Sequence, residues 1–391
     1  MTKSLKPAIL SLSLLTVMAG AAMAPALHVI QDYFRDVPSL YIQMIISIPA
    51  LFIVLTSLFF PKLCQHFGAK TLVLFGLILY TVGGSIAGVF HQIGLVLCMR
   101  ALVGIGVGIL MPLSTGLLAF YFPPEQQEVL MGYSSAANQM GGVIATLLSG
   151  LLANISWRIS FLVYLLGLIS IVLCLLAMPN DRIRTAEAKT ETTPTISTGQ
   201  IWKENCFFVV AMFLLMSTFF IYPANFAMET AADGRIPQAY VPFIMASMDF
   251  IAFIGGLLFV SCKRIFRKNT RFVAPVLFFV GYLLLALVGG WVGTILGSIC
   301  IGFANGEGIP YIISTASRKM GKAAATTVMP MISAALYLAQ FVSPMILSGV
   351  QVLMSSFSVP HLPYRLAAIF AFLFCLCSAK IQEPSVPVER C

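Results

Sequence analysis

The sequence predicts an all-α integral membrane protein whose twelve transmembrane helices form two pseudo-symmetric six-helix bundles. Of its 391 residues, 59% are hydrophobic and 9% are charged, whereas soluble domains carry about a quarter charged residues. Twelve apolar runs are long enough for the roughly 20 helical residues that cross a bilayer. The two halves also match each other at an offset of about 198 residues. These observations exclude an ordinary soluble enzyme and a disordered chain.

The first half contains six apolar runs. The first follows Lys3 and Lys6 and ends in Ala22-Met23-Ala24, as a signal peptide would. Because Pro25 would follow the cut and many apolar runs come after it, we interpret it as an uncleaved helix. The runs extend over Ala8 to Ile30, Leu40 to Phe60, Leu72 to Phe90, Ile93 to Phe120, Val129 to Ala153 and Ile159 to Met178.

A polar stretch without apolar periodicity, residues 179–205, follows and is interpreted as a cytoplasmic linker. It separates an N-terminal six-helix bundle (1–178) from a C-terminal one (206–380), which a cytoplasmic tail (381–391) follows. The runs of the second half are Cys206 to Met228, Tyr240 to Cys262, Phe272 to Gly290, Val292 to Ser314, Thr326 to Leu353 and Leu362 to Ala379. Arg365, near the start of the last run, is expected to extend towards the interface.

The basic residues predict the orientation of the chain. With the amino terminus inside, 18 of the 23 Lys and Arg residues lie on one side, which by the positive-inside rule is the cytoplasm. The densest cluster is Lys263, Arg264, Arg267, Lys268 and Arg271. The connection from Phe122 to Glu128 has acidic and no basic residues, but acidic residues count little in this rule. Both termini are therefore expected in the cytoplasm.

The internal repeat is clearest in the fourth and tenth runs. Gly104, Gly108 and Pro112 of the fourth correspond to residues 198 positions later in the tenth, namely Gly302, Gly306 and Pro310. Glycines inside apolar helices allow close packing, so we assign these residues, with Gly68, Lys70, Gly141 and Gly150, to helix packing and gating. Parallel repeats of six helices are typical of secondary transporters, whose substrate binds between the halves.

Three motifs carry a resemblance to a known family. Ala24-Pro25-Ala26-Leu27 precedes Ile30, Arg100 is followed by Gly104, Gly106 and Gly108, and Trp157-Arg158 leads to Phe161. Over essentially its whole length the chain resembles major facilitator superfamily transporters, and most of all the bacterial drug:proton antiporter branch. The resemblance implies the major facilitator fold, multidrug or small-molecule efflux across a bacterial inner membrane, and a role for Arg100 in proton coupling.

Two motifs depart from the family pattern. The loop after the second run keeps Leu63, Gly68 and Lys70 but lacks the acidic residue of the family's charged loop. The antiporter motif of the fifth run lacks its proline and is represented only by Gly141, Ala145, Thr146, Ser149 and Gly150. The sequence therefore supports membership of the superfamily more firmly than it supports export.

Full charges lie well inside the apolar runs at Arg100, Asp249 and Glu307. A charge in the hydrocarbon costs several kcal/mol unless it meets a partner or a cavity, so these residues are proton-coupling candidates. Each has a structural alternative: Arg100 as a hydrogen-bond anchor between helices, Glu307 as a neutral group in a helix–helix hydrogen bond, and Asp249 as a stabiliser of the second-half interface. His28, whose ordinary pKa is about 6.5, is a fourth candidate for coupling or an interfacial hydrogen-bonding residue.

Amides and aromatic residues inside the runs predict the substrate cavity. Such residues, among 19 methionines, suit small and partly apolar substrates because methionine adapts to different shapes. Methionine is also ordinary packing material in helices. The predicted cavity residues are Asn138, Gln139, Tyr222, Asn225, Asn305, Tyr311, Tyr337 and Gln340.

The leading hypothesis is a proton-coupled exporter of small apolar or cationic compounds that works by alternating access. The alternatives are a transporter of a small organic anion, a sugar or another metabolite, with Arg100 as the anion partner, and a non-transporting receptor or scaffold. The four dispersed histidines argue against a lipid-acting enzyme and a metal site. The sequence contains no Walker pattern, so we do not expect ATP to be the energy source. We expect a monomer without cofactors whose partners are its substrate, protons and lipid, and not nucleic acid.

Overall fold

The computed structural model describes residues 2–179, 198–319, 322–354 and 359–381. Most of the predicted linker (180–197) and nearly all of the predicted tail (382–391) lie outside these ranges. Within them the chain forms the helices α1 (Thr2–Ala21), α2 (Leu27–Tyr33), α3 (Ser39–His66), α4 (Ala69–Ile86), α5 (Ile93–Tyr121), α6 (Pro124–Ala153), α7 (Trp157–Ser160), α8 (Gly167–Ala177), α9 (Thr198–Asp233), α10 (Val241–Phe266), α11 (Thr270–Leu283), α12 (Gly290–Lys319), α13 (Lys322–Leu353) and α14 (Leu362–Ala379).

Eleven stretches of the described residues are long and apolar enough to cross a membrane. One of them, Gln238–Val288, is 51 residues long and contains both α10 and α11, which the 3₁₀ turn Arg267–Asn269 separates. It therefore provides two crossings, whereas α1 with α2, and α7 with α8, provide one each. The prediction of an all-α chain with twelve crossings is confirmed.

Local sequence explains where several helices begin and end. Pro124 opens α6, where a missing N–H costs nothing because that position has no helical partner. A π-helical turn after α11 ends at Gly289 and Gly290, whose φ angles of 58° and 56° suit glycine. Helix α9 begins at Thr198, so the last residues of the predicted linker are helical.

The helices pack into two compact units that do not follow the halves of the sequence. Unit 1 contains the first six crossings together with Ile221–Phe250 and the part of α13 that begins at Gln340. Unit 2 contains the rest of α9, α10 and α13 with α11, α12 and α14. The division differs from the predicted one because the ends of α9, α10 and α13 pack against first-half helices.

Glycines allow the helices within each unit to approach closely. In unit 1, a side chain on Gly104 would collide with the carbonyl oxygen of Pro49 on α3, and one on Gly106 would lie 2.6 Å from that of Gly76 on α4. In unit 2, a side chain on Gly306 would collide with the carbonyl oxygen of Ala252 on α10. Helices α5 and α12 are thus central to their units.

Candidate functional site

Arg100 lies fully buried on α5 and joins four segments of unit 1. Its Nε donates to the carbonyl oxygen of Ile45 on α3 at 2.7 Å, and its Nη1 donates to the hydroxyl of Tyr164 at 2.5 Å. Its Nη2 donates to the carbonyl oxygen of Ala19 on α1, which also accepts from the Tyr164 hydroxyl at 3.0 Å. The guanidinium is held by neutral oxygens.

The sequence supplies free acceptors for this guanidinium. Pro49 stands four residues after Ile45 and has no N–H, so the Ile45 carbonyl lacks its helical partner. Ala19 lies in the last turn of α1, where carbonyls have no intrahelical donor. Among the described residues, no carboxylate lies within ion-pair distance of Arg100. This geometry matches the hydrogen-bond anchor that the sequence analysis gave as the alternative.

Polar side chains connect α1 to α6 along much of their contact. The hydroxyl oxygens of Ser13 and Ser134 lie 2.6 Å apart, and Thr16 donates to Oδ1 of Asn138 at 2.7 Å. One turn further, a side chain on Gly141 would collide with the backbone of Leu14. The predicted substrate residue Asn138 is therefore engaged in helix packing on one side.

The same face of α6 continues to Asp249 of α10. Thr146 is buried and donates its hydroxyl hydrogen to Oδ2 of Asp249 at 2.8 Å. One turn on, a side chain on Gly150 would collide with the ring of Pro242. The segment that resembles the antiporter motif thus contacts the second half of the chain inside unit 1.

Two further polar contacts join first-half and second-half helices within unit 1. Gln43 of α3 donates to Oδ1 of Asn225 at 2.9 Å, and both side chains are buried. Gln340 of α13 donates to the carbonyl oxygen of Ile46 at 3.2 Å. We call these two contacts, together with Thr146–Asp249, the inter-half polar contacts. Asn225, Asp249 and Gln340 were predicted site residues, whereas the partners Gln43 and Thr146 were not predicted.

Glu307 of α12 is fully buried in unit 2. Neither of its carboxyl oxygens has a hydrogen-bond partner among the described residues. Its neighbours along α12 lie close to apolar residues, because a side chain on Gly306 would meet Ala252 and one on Gly308 would meet Leu215 and Ala274. A carboxyl in such surroundings cannot hold its charge unless water or a cation reaches it.

The other predicted site residues are distributed over both units. His28 is half-buried, with Nδ1 3.1 Å from the carbonyl oxygen of Pro25. Tyr222 is buried and stacks on Phe226 with ring centroids 4.4 Å apart. Gln139 of unit 1 and, in unit 2, Tyr337, Asn305 and Tyr311 are half-buried or buried.

Of the predicted gating residues, some lie at the start of α4 and others lie within α5 and α12. Gly68 precedes α4 in an extended conformation, and Lys70 donates to the carbonyl oxygen of Leu175 near the end of α8 at 2.9 Å. A lysine at a helix carboxyl terminus is favourable because it complements the helix dipole. Pro112 lies within α5, and Gly302 and Pro310 lie within α12.

One cavity of about 340 Å³ in unit 1 lies between the start of α1 and α6, and another of about 610 Å³ lies in unit 2. The first is lined by Lys6, Leu10, Gln126, Val129, Leu130 and Tyr133. None of the eight predicted substrate residues lines either of these two cavities. The described residues also include no cluster of three His, Cys, Asp or Glu side chains that would hold a metal ion.

Comparison with known families shows to which protein family this chain belongs. The family model of the Major Facilitator Superfamily matches residues 9–344, most of the chain. The chain belongs to the Major Facilitator Superfamily. This confirms the family suggested by the sequence motifs, and major facilitator proteins are membrane transporters of small molecules.

Curated relatives of this major facilitator protein include drug-resistance proteins. Multidrug resistance protein 3 of Bacillus subtilis is 25% identical over 218 residues, which are 51% of this chain and 42% of that protein. Quinolone resistance protein NorA of Staphylococcus aureus is 24% identical over 248 residues, 63% of this chain and 62% of NorA. The matches thus span less than two thirds of either relative.

Solved structures of major facilitator proteins share the fold. A D-xylose-proton symporter superimposes with a TM-score of 0.73 at 14% identity and covers 97% of this chain and 98% of its own. A bacterial homologue of the lysosomal transporter Spinster, in an inward-facing and unoccupied conformation, gives a TM-score of 0.70 at 14% identity, with the same coverage. At such identities the likeness shows the fold alone.

Proposed function

We propose that this chain is a proton-coupled secondary active transporter that exports small apolar or cationic compounds by alternating access. It would act as a monomer in a bacterial cytoplasmic membrane, with both termini in the cytoplasm. Family membership supports transport, and the names of the two drug-resistance relatives support efflux. The observation that carries the proposal is the buried carboxyl of Glu307, which has no hydrogen-bond partner among the described residues.

Glu307 supplies a physical basis for exchange. An unpaired charge in apolar surroundings is costly, so a proton or a cationic substrate is needed to neutralise the carboxyl. If one site accepts either a proton or a cation, binding of the second displaces the first, and their movements are coupled. Small residues on both sides of Glu307 let this part of α12 lie close to neighbouring helices. Movement of those helices would change access to the carboxyl.

Alternating access also requires a contact between helices that can open. The inter-half polar contacts supply such a contact. In the proposed orientation Asn225, Asp249 and Gln340 lie in the outer halves of their helices. Two hydrogen bonds between side chains and one from the Gln340 side chain to a backbone carbonyl contribute a few kcal/mol in total. Such contacts are strong enough to hold one side closed and weak enough for substrate binding to release. Asp249 is the member whose bonding would change if it gained a proton.

Arg100 does not support the organic-anion alternative. A residue that binds an anionic substrate must have donors available to it, whereas three of the five N–H donors of this guanidinium already bind Ile45, Tyr164 and Ala19. Its role in the proposal is to fix α5 against α1 and α3. The anion or metabolite transporter and the receptor or scaffold therefore become outcomes of the test.

The test is proton flux in proteoliposomes that contain purified protein and an internal pH dye. Lipophilic cations, organic anions and sugars are added in turn to wild type, Glu307→Gln and Asp36→Asn. Asp36 is exposed in the connection before α3, so its variant removes a carboxylate without touching the buried site. We expect cations to move protons in wild type and Asp36→Asn, and at least tenfold more slowly in Glu307→Gln.

Other results would change the assignment. Proton movement triggered by anions or sugars instead of cations would replace the substrate class. Cation-driven flux that persists in Glu307→Gln would remove Glu307 from the mechanism. If no compound moves protons or is itself transported, the receptor or scaffold becomes the better assignment.

A further inference from the structure

A cluster of basic residues lies beside an apolar cavity at the turn between α10 and α11. The cluster comprises Lys263, Arg264, Arg267, Lys268 and Arg271, five cations within nine residues. Arg264, Arg267 and Lys268 are exposed. Among the described residues, the ion pair within 4 Å joins Asp233 and Arg235, outside this turn. The positive charge of this turn is therefore not paired with a described carboxylate.

The two remaining cations are held by the protein. Arg271 donates through Nη1 to the carbonyl oxygens of Ala379 and Ile381 at 3.1 and 3.2 Å. Lys263 lies over the ring of Phe259, with Nζ 5.9 Å from the ring centroid. The Arg271 contacts anchor the start of α11 to the end of α14, whereas the Lys263 contact lies within α10. The three exposed cations have no carboxylate partner among the described residues and can face an external anion.

The cavity next to this cluster belongs to unit 2 and measures about 610 Å³. This volume is within the range of about 300–1,000 Å³ that is usual for pockets holding drug-sized ligands. Its lining is almost wholly apolar and comes from the end of α10, the start of α11 and the middle of α12. The residues that matter here are Cys262, Phe266, Asn269, Phe272, Val276 and Cys300.

The cavity opens where apolar side chains are exposed. Phe266 is 48% exposed and Val276 is 47% exposed, although both line the cavity. Ile265 between the cations is 73% exposed. Because α10 and α11 each cross the membrane, these side chains face lipid chains, and the turn lies at the level of the headgroups. The positive charge and the apolar cavity are therefore arranged in the order of a phospholipid's headgroup and acyl chains.

We infer that the α10–α11 turn and its cavity form a binding site for an anionic phospholipid of the surrounding bilayer. Arg264, Arg267 and Lys268 bind the phosphate headgroup, and an acyl chain occupies the cavity between α10, α11 and α12. Basic clusters next to membrane helices attract anionic lipids by about 1 kcal/mol for each Lys or Arg. In the proposed orientation the site faces the cytoplasmic leaflet. The inference does not depend on transport activity.

Native mass spectrometry of the delipidated, purified protein tests this site. Phosphatidylglycerol or phosphatidylcholine with identical acyl chains is added, and bound lipid is counted for wild type and for the double variant Arg264→Gln with Lys268→Gln. We expect wild type to prefer phosphatidylglycerol and the double variant to lose about 30-fold of that preference, as two cations at the above energy predict. Raised salt is expected to weaken the preference because it screens the charges.

A matched control removes two exposed cations elsewhere. Arg35 and Arg235 lie in other connections and are exposed, so Arg35→Gln with Arg235→Gln is expected to keep the wild-type preference. A second variant, Val276→Trp, fills the cavity and leaves every cation in place. It is expected to lower phosphatidylglycerol binding at least fivefold, and soluble glycerol phosphate is expected not to compete. Size-exclusion chromatography confirms that each variant is folded.

Three results would overturn the inference. Equal binding of the two lipids by wild type would show a non-selective surface. Equal loss in both double variants would assign the preference to total charge. Unchanged binding in Val276→Trp, or competition by glycerol phosphate, would show an anion site without an acyl-chain pocket.

Discussion

The hydroxyl of Thr146 on α6 donates to Oδ2 of Asp249 on α10 at 2.8 Å, across 103 residues of sequence. Asp249 stands out in the sequence because it is a charge within an apolar run. Thr146 belongs to a segment that resembles the antiporter motif of the family. The structure joins the two residues within unit 1. The motif-like segment of α6, which lacks the family's proline, therefore contacts an acidic side chain of α10.

Removing the Thr146 hydroxyl should weaken the contact between α6 and α10. Thr146→Val keeps the shape but leaves a carboxylate oxygen without its donor, which costs about 1–3 kcal/mol. We expect a membrane-impermeant maleimide to label Ser149→Cys, buried on the same helix, about fivefold faster or more, in a background without native cysteines. Thr115→Val is the control, because Thr115 bonds only within its own helix. Equal labelling rates would show that this bond does not hold the helices together.

Arg100 should be required for stability. A lysine keeps the charge but has a single ammonium, so Arg100→Lys cannot reach Ile45, Tyr164 and Ala19 together. We expect a loss of about 2–4 kcal/mol for Arg100→Lys and about 1 kcal/mol for Tyr164→Phe, measured by thermal unfolding in detergent. Arg35→Lys, at an exposed arginine, is the control. A normally stable Arg100→Lys that only loses transport would contradict the anchor and support a role in coupling.

Gly141 should tolerate no side chain, whereas Gly132 on the same helix should. An added Cβ at Gly141 would collide with the backbone of Leu14, but nothing lies within 4 Å of one at Gly132. We expect Gly141→Ala to destabilise the protein by about 1–3 kcal/mol and Gly132→Ala to stabilise it by up to about 1 kcal/mol. The difference in unfolding temperature between the two variants is the measurement. Identical temperatures would mean that α1 and α6 are not closely packed at this point.

Glu307 should tolerate loss of charge better than reversal of charge. Glu307→Gln is a neutral group of the same size, so we expect a change in stability of less than about 1 kcal/mol. Glu307→Lys places an ammonium without a partner among apolar groups, and we expect poor expression or a loss of several kcal/mol. Expression level and thermal unfolding report both effects. A Glu307→Gln protein that fails to fold would indicate a structural role for the carboxylate.

The membrane-crossing pattern followed from the sequence because apolar runs of sufficient length have few other structures available. Helix ends were predicted less well, since α9 begins at Thr198 and not near Cys206. Hydropathy marks the part of a helix inside the bilayer, and polar turns that extend beyond it carry no such signal. The candidate charges Arg100 and Glu307 were found for a related reason, because a charge within an apolar run is rare.

The partners of those residues were not predictable in the same way. Gln43 and Asn225 are 182 positions apart, and neither carries a periodic or compositional signal that points to the other. The free carbonyl of Ile45 was in principle recognisable from Pro49 four residues later. Its donor Arg100 was not, because the register between α3 and α5 depends on close contacts at Gly104 and Gly108.

The sequence by itself determined that the chain is helical, crosses the membrane twelve times and belongs to a recognisable transporter family. These properties depend on local hydropathy and short motifs, which each segment expresses independently. Only the tertiary structure decided that Arg100 is bound by backbone and tyrosine oxygens, that Asp249 pairs with Thr146 and that Glu307 has no described partner. It also divided α9, α10 and α13 between two units. Such contacts depend on how distant helices approach one another, and that distance is set by packing across the whole chain.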